Sequence, residues 1–120
     1  MRGFRAILLD RADMAQGTSG RYHGLLHSGG RYIASDPESA TECAEENAIV
    51  ARINADAAEK TGGLFVTTSV DDEDYADQFI ARARAAHVPA EEISPAEALR
   101  REPRLDPGLK RAFAVQDGTV

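Results

Sequence analysis

The sequence predicts an α/β fold, and three observations in its 120 residues support this prediction. An apolar run from Phe4 to Leu9 is typical of a strand buried in a parallel sheet, and Asp10 follows it directly. A glycine-rich segment from Gly17 to Tyr32 comes next. Beyond it, helix start signals alternate with short β-type runs. Because dinucleotide sites are built from a strand, an acid, a glycine-rich turn and a helix, we expect part of such a site here.

The first long helix is predicted from Pro37 to about Lys60. The run Ser35-Asp36-Pro37-Glu38 provides a capping side chain, a proline in the first turn and an acid near the positive end of the helix dipole. Small and apolar residues, among them Cys43, lie on one wide side of this helix, which predicts a covered face. Gly62-Gly63 is expected to end the helix.

The second half of the chain predicts shorter elements. A strand is expected over Leu64 to Thr68, and the acidic run Asp71 to Asp74 predicts the start of a second helix. A further helix is expected to begin at Ser94-Pro95 and end near Arg101. The chain then predicts a strand over Arg111 to Gln116 and a turn at Asp117-Gly118.

Composition excludes several classes of protein. The formal net charge is −6, from 14 basic and 20 acidic residues, and this balance makes the chain a poor partner for nucleic acid. A single cysteine, Cys43, is typical of a reducing compartment. No apolar run approaches the ~20 residues that span a bilayer. These observations predict a cytoplasmic location and leave peripheral membrane association open.

Two candidate binding groups follow the first predicted strand. Asp10, at the carboxyl end of that strand, could accept hydrogen bonds from a ribose, or it could be an ordinary turn residue. Gly17 precedes a candidate helix start at Thr18 or Ser19, where backbone N–H groups and hydroxyls could hold a pyrophosphate. The alternative is a helix cap alone.

The histidines and the arginine of the next segment allow further alternatives. His23 and His27 are four residues apart, a spacing that can bind zinc, but the intervening glycine and the lack of a third nearby ligand argue against a metal site. Arg31 could hold a phosphate through a two-pronged hydrogen bond, with Tyr32 as an additional donor. The alternative is a surface arginine with its stem over an aromatic ring.

Seven motifs together resemble one family. They are Ile7-Leu8-Leu9-Asp10, Gly-Thr-Ser-Gly-Arg at 17–21, His-Gly-Leu-Leu-His-Ser-Gly at 23–29, Arg31-Tyr32, Glu-Cys-Ala-Glu-Glu-Asn at 42–47, Thr-Gly-Gly-Leu-Phe-Val at 61–66 and Asp-Gly-Thr-Val at 117–120. This pattern resembles the FAD-dependent glycerol-3-phosphate dehydrogenases, especially the large subunit of the anaerobic type, within the D-amino-acid-oxidase-like flavoproteins. Because no Gly-x-Gly-x-x-Gly turn precedes Arg2, the chain resembles an internal fragment.

The resemblance implies a fold and a division of the chain. Residues 1–61 would form a partial FAD-binding domain of the Rossmann-like type found in glutathione reductase and D-amino-acid oxidase. Residues 62–120 would begin an α+β substrate domain. It also implies that the cofactor contacts, in chain order, are Asp10, Gly17, Thr18, Ser19, His23, Gly24 and Leu25.

The implied activity is the oxidation of sn-glycerol 3-phosphate to dihydroxyacetone phosphate, with hydride passing to FAD and electrons passing toward quinone through membrane-associated partner subunits. His27 would act as a base or orient the substrate hydroxyl, and Arg31 and Tyr32 would bind the substrate phosphate. Two alternatives remain: a related flavoprotein that oxidises a 2-hydroxy acid or amino acid, and a non-catalytic remnant. The 120 residues alone are expected to be inactive.

Overall fold

The computed structural model describes residues 3–120, so the expectation about what precedes Arg2 lies outside the described residues. Helices and short strands alternate in the order β1 Leu25–Leu26, α1 Pro37–Ile53, β2 Gly63–Thr67, α2 Glu73–Ala85, β3 Ala90–Ile93, α3 Pro95–Arg101, β4 Arg111–Val115 and β5 Gly118–Thr119. Short 3₁₀ turns cover Thr18–Gly20 and Gly30–Tyr32. This combination of helices and sheets fits the predicted α/β class. Among residues 3–120, no helix has both the length and the apolar character needed to cross a bilayer.

The main sheet has three antiparallel strands in the order β2-β4-β3. The central strand, β4, is covered on both faces because its side chains alternate. Phe113 and Val115 join a core with α2, where the ring of Phe79 lies 5.1 Å from that of Phe65 and 5.2 Å from that of Phe113. Ala112 packs on the opposite face, in a smaller cluster beneath α3.

The larger core crosses the predicted division at residues 61 and 62. Ile33 and Ala40, from the first part of the chain, are fully buried in the same cluster as Phe79 and Phe113 from the second. The division into two domains therefore stays a prediction, and the described residues on its two sides share one apolar cluster.

Helix α1 begins as predicted and ends earlier. The Asp36 side chain accepts a hydrogen bond from the backbone N–H of Ser39 at 3.1 Å, and Pro37 occupies the first turn. The helix ends at Ile53 rather than near Lys60. Its continuation is excluded because the backbone of Glu59 pairs with that of Thr119 as an isolated β-bridge.

The predicted buried strand from Phe4 to Leu9 is wrong for the described structure. These residues form no ladder with any other described segment, and the side chains of Phe4, Ile7, Leu8 and Leu9 are 84–88% exposed. A parallel strand needs neighbours to satisfy its backbone and cover its faces, and local hydrophobicity does not supply them. Both described sheets are antiparallel, so the Rossmann-like arrangement stays a prediction.

The exposed segment also changes the dimensions of the molecule. The radius of gyration is 17.4 Å and the longest extent is 54 Å. A compact domain of this length would have a radius near 13.5 Å, by the general scaling of about 2.2 Å times length to the power 0.38. The chain is therefore a packed body, formed by the elements from β1 onward, with an extended segment at its start.

Candidate functional site

Two segments from opposite ends of the sequence meet at a small two-stranded sheet. Leu25 pairs with Thr119 and Leu26 with Gly118. Because the backbone of Glu59 pairs with that of Thr119, there is no space for a side chain at position 118, where an added Cβ would lie 2.7 Å from the carbonyl oxygen of Glu59. The turn predicted at Asp117-Gly118 is instead the start of this strand pair, and it brings residues 23–28 beside residues 117–120.

Helix α1 also holds the segment that contains Leu26 in place. The side-chain amide of Asn47 donates a hydrogen bond to the carbonyl oxygen of Leu26 at 3.0 Å. Beside it, the backbone N–H of Val120 donates to the carbonyl oxygen of Gly24 at 2.9 Å. The segment that carries the two histidines is therefore anchored by both a helix and a strand.

His27, Ser28 and Asp117 form a partly buried polar group at this junction. One carboxylate oxygen of Asp117, Oδ1, accepts hydrogen bonds from the backbone N–H and from the hydroxyl of Ser28, both at 2.7 Å. The other, Oδ2, lies 3.2 Å from Nδ1 of His27. The side chains of His27 and Asp117 are 23% and 13% exposed. We call these three residues the His27–Asp117 network.

The second ring nitrogen of His27 is unpaired. Nε2 is buried and has no hydrogen-bond partner among residues 3–120. A buried polar atom without a partner costs free energy, so such atoms are rare and each calls for an explanation, such as a catalytic role or a bound water or ion. Among residues 3–120, Nε2 of His27 is the one buried side-chain nitrogen or oxygen that the chain itself leaves without a hydrogen-bond partner.

Two glycines place Ser28 within the core. Gly29 has a φ of +97°, and a Cβ added there would collide with the carbonyl oxygen of Ala40. At Gly30 an added Cβ would lie 2.9 Å from the ring of Phe65. Because only glycine fits both positions, the chain can turn tightly beneath α1 and leave Ser28 2% exposed.

His23 lies next to this network on the solvent side. Its ring centroid is 5.4 Å from that of His27, with an interplanar angle of 60°. Nδ1 of His23 accepts a hydrogen bond from the backbone N–H of Leu25 at 3.0 Å, which orients the exposed ring. No group of three metal-ligating side chains is found among residues 3–120.

The first predicted cofactor contacts lie on the exposed segment. Oδ1 of Asp10 accepts a hydrogen bond from the backbone N–H of Ala12 at 3.3 Å, which is a local turn contact. Thr18 and Ser19 begin a single 3₁₀ turn rather than the predicted helix, and the Gly17 that precedes it provides no side-chain cap. Within residues 3–120, no hydrogen bond joins these residues to the His27–Asp117 network. Their roles as cofactor contacts stay predictions.

The other predicted contacts lie nearer the network. Gly24, with a φ of +76°, and the exposed Leu25 lie at the strand pair. Arg31 is exposed on the 3₁₀ turn that follows Gly29, and Tyr32 beside it is half-buried against the main core. The substrate roles of Arg31 and Tyr32 also stay predictions.

Sequence reasoning missed Asp117 and Ser28. Asp-Gly is an ordinary turn signal, and nothing adjacent to it in the sequence indicates a histidine partner 90 positions away. The only available signal was chemical: a carboxylate is the usual partner of an imidazole nitrogen that must be held in one orientation.

Comparison with known proteins identifies the family to which the chain belongs. All 120 residues match the family described as FAD dependent oxidoreductase. Over its whole length the chain is 48% identical to one subunit of the anaerobic glycerol-3-phosphate dehydrogenase of Escherichia coli. It is 46% and 42% identical to a subunit of the enzymes with the same name in Haloferax volcanii and Haemophilus influenzae, respectively.

These matches cover the whole of this chain and only 22%, 20% and 21% of the three relatives, respectively, so the chain spans about a fifth of their length. The glycine-rich segment, the two histidines and Asp117 all lie within the matched region. The chain belongs to the family of FAD dependent oxidoreductases.

Proposed function

We propose that this chain is part of the FAD-binding catalytic subunit of a glycerol-3-phosphate dehydrogenase. The reaction converts sn-glycerol 3-phosphate to dihydroxyacetone phosphate, and the electrons pass toward quinone through partner subunits. The names of the relatives support the substrate, since each is called an anaerobic glycerol-3-phosphate dehydrogenase. We expect the protein in the cytoplasm, held at the inner membrane by its partners.

The unpaired Nε2 of His27 carries the proposal. Nε2 has no hydrogen-bond donor beside it, and the hydroxyl of a secondary alcohol could be that donor. An imidazole is well suited to accept the hydroxyl proton near neutral pH. As the C2 hydroxyl becomes a carbonyl, its proton passes to Nε2. The remaining step of the oxidation is the departure of a hydride from C2.

Membership of the family of FAD dependent oxidoreductases supports FAD as the cofactor, and two parts of the glycine-rich region would hold it. Asp10 would bind the ribose, and Gly17, Thr18 and Ser19 would supply donors to the pyrophosphate. His23, Gly24 and Leu25 would lie along the flavin. When bound, FAD supplies the hydride-accepting chemistry of the reaction.

Arg31 would bind the phosphate of glycerol 3-phosphate. Its guanidinium is exposed and has no hydrogen-bond partner among residues 3–120, so its fork of donors is free for an anion. A phosphate or carboxylate accepts two parallel hydrogen bonds from such a fork. Tyr32, on the same turn, would donate one more.

The test uses a chimeric enzyme in which this chain replaces the matched residues of the Escherichia coli relative. We expect the FAD-loaded chimera to reduce an artificial dye with glycerol 3-phosphate as the electron donor, and His27→Gln to lower kcat by ~10²-fold or more. A chimera that holds FAD but oxidises only 2-hydroxy acids or amino acids would favour the related flavoprotein. One that holds FAD and oxidises none of these would indicate a non-catalytic remnant.

A further inference from the structure

We infer that Asp117 is the positioning residue for His27, because it fixes the imidazole in the tautomer that leaves Nε2 free to accept a proton. Ser28 in turn fixes the carboxylate of Asp117. This inference rests on the proposed function for the role of Nε2, and it adds two residues that the sequence did not indicate.

The hydrogen-bonding capacity of a carboxylate determines the tautomer. An ionised carboxylate only accepts hydrogen bonds, whereas a neutral imidazole has one nitrogen that donates and one that accepts. Because Nδ1 of His27 lies 3.2 Å from Oδ2 of Asp117, Nδ1 carries the hydrogen. The lone pair is therefore on Nε2, the buried and unpaired nitrogen.

Ser28 fixes the orientation of the Asp117 carboxylate group relative to the His27 ring. Its backbone N–H and its hydroxyl both donate to Oδ1 at 2.7 Å, so rotation of the carboxylate would break two short hydrogen bonds. Oδ2 is thereby left for His27. The backbone on both sides is held by the pairing of Leu26 with Gly118.

The same carboxylate stabilises the charge that forms during the reaction. When Nε2 accepts the substrate proton, the ring becomes a cation, and a buried carboxylate next to Nδ1 lowers the free energy of that state. The hydrogen on Nδ1 stays there. One O–H bond of the substrate breaks and one N–H bond forms at Nε2, with no proton passing to Asp117.

Asp117→Asn is the decisive variant. The amide oxygen of asparagine can keep both hydrogen bonds from Ser28, and its NH₂ group then faces Nδ1 as a donor. His27 would adopt the opposite tautomer, with the hydrogen on Nε2. In the chimeric enzyme we expect kcat for glycerol 3-phosphate to fall by ~10²-fold or more with KM little changed.

The tautomer is measured directly, without relying on activity. In the chimera labelled with ¹⁵N-histidine, the ring resonances of His27 are assigned by their loss in His27→Gln. We expect a protonated Nδ1 in the parent and a protonated Nε2 in Asp117→Asn. A protonated Nε2 in the parent at neutral pH would overturn the inference.

Asp71→Asn is a matched control. Oδ2 of Asp71 accepts hydrogen bonds from the backbone N–H and hydroxyl of Thr68, both at 2.7 Å, so the same pair of contacts exists there with no histidine. We expect this variant to keep the parent kcat and the parent tautomer of His27. A loss of kcat equal to that of Asp117→Asn would assign the effect to general destabilisation and overturn the inference.

Ser28→Ala is the second variant that tests the inference if Asp117→Asn does not fold. It removes the hydroxyl donor and keeps the backbone donor, so we expect a smaller loss of kcat and a mixture of the two His27 tautomers. A single, unchanged tautomer would contradict the role of Ser28. A failure of the proposed function can be told apart from a failure of this inference. If only the proposed function is wrong, His27→Gln leaves kcat unchanged while the tautomer of His27 still depends on Asp117.

Discussion

Arg111 of β4 holds Glu92 of β3 through two parallel hydrogen bonds, from Nε to Oε1 at 2.7 Å and from Nη2 to Oε2 at 2.9 Å. The third guanidinium nitrogen donates to Asp77 of α2 at 2.6 Å. The hydrogen bond from Arg111 lowers the pKa of the Glu92 carboxyl below its ordinary value. Hydrogen bonds to Glu92 and Asp77 raise the pKa of Arg111. One arginine thus joins two strands and a helix.

This pair predicts a pH dependence of stability. Because the pKa of Glu92 is lower in the folded than in the unfolded chain, the unfolded chain binds more protons, and the contribution is lost as the pH falls through the folded pKa. The side chain of Glu92 is 45% exposed, so we expect Glu92→Gln to lower the free energy of unfolding at pH 7 by less than about 1 kcal/mol. Urea unfolding of both proteins from about pH 7 down to about pH 2 checks this. A difference that widened toward acid pH would contradict it.

His87 occupies a backbone conformation that favours glycine. It follows α2 with a φ of +54°, and the backbone N–H of Val88 donates to the carbonyl oxygen of Ala83 at 2.9 Å, as in a Schellman helix end. We expect His87→Gly to raise the free energy of unfolding by about 0.5–1 kcal/mol, since relief of left-handed strain exceeds the entropy cost of glycine. Thermal unfolding measures the change. His87→Ala is the control, because it removes the ring and keeps the strain.

Gly29 is expected to tolerate no side chain. Gly29→Ala combines a positive φ with a collision against the backbone of Ala40, so we expect a loss of more than about 2 kcal/mol in the free energy of unfolding. Gly17→Ala is the matched control, because φ is −92° there and no atom lies within 4 Å of an added Cβ. Equal midpoints of thermal unfolding for the two variants would contradict the tight turn beneath α1.

Arg31 is expected to act on substrate affinity rather than on the flavin. Arg31→Lys keeps the charge and loses the planar fork, so KM for glycerol 3-phosphate should rise about tenfold in the chimeric enzyme, while the flavin absorbance per protein stays constant. Steady-state kinetics and the visible spectrum measure the two effects. An unchanged KM would remove Arg31 from the substrate site.

The local sequence was sufficient to predict where the helices with capping side chains begin. The Ser94-Pro95 signal predicted α3, and the Ser94 hydroxyl accepts a hydrogen bond from the backbone N–H of Glu97 at 3.2 Å. Strand β3 was missed because Ala90–Ile93 reads Ala-Glu-Glu-Ile, with little β-propensity. It is a strand because its backbone pairs with β4, where Ile93 faces Ala112.

The candidate site was predictable only in part, for the same reason. His27 could be identified because its surroundings in the sequence are unusual, whereas Asp117 resembles an ordinary turn residue until its distant partners are known. The opposite error was made at Phe4 to Leu9, where an apolar run predicted burial that no described neighbour provides. Hydrophobicity along the chain indicates what could be buried, and pairing between distant segments decides it.

Ser28 and Asp117 are 89 positions apart in the sequence, and this separation has a consequence for biosynthesis. A ribosome adds ~5–20 residues per second, so the histidine segment emerges roughly 5–20 s before the strand that completes its surroundings. During that interval α1 can form by its own caps, but the imidazole has no carboxylate to orient it. The proton-accepting centre therefore cannot be completed until Asp117 has been synthesised, 90 positions after His27.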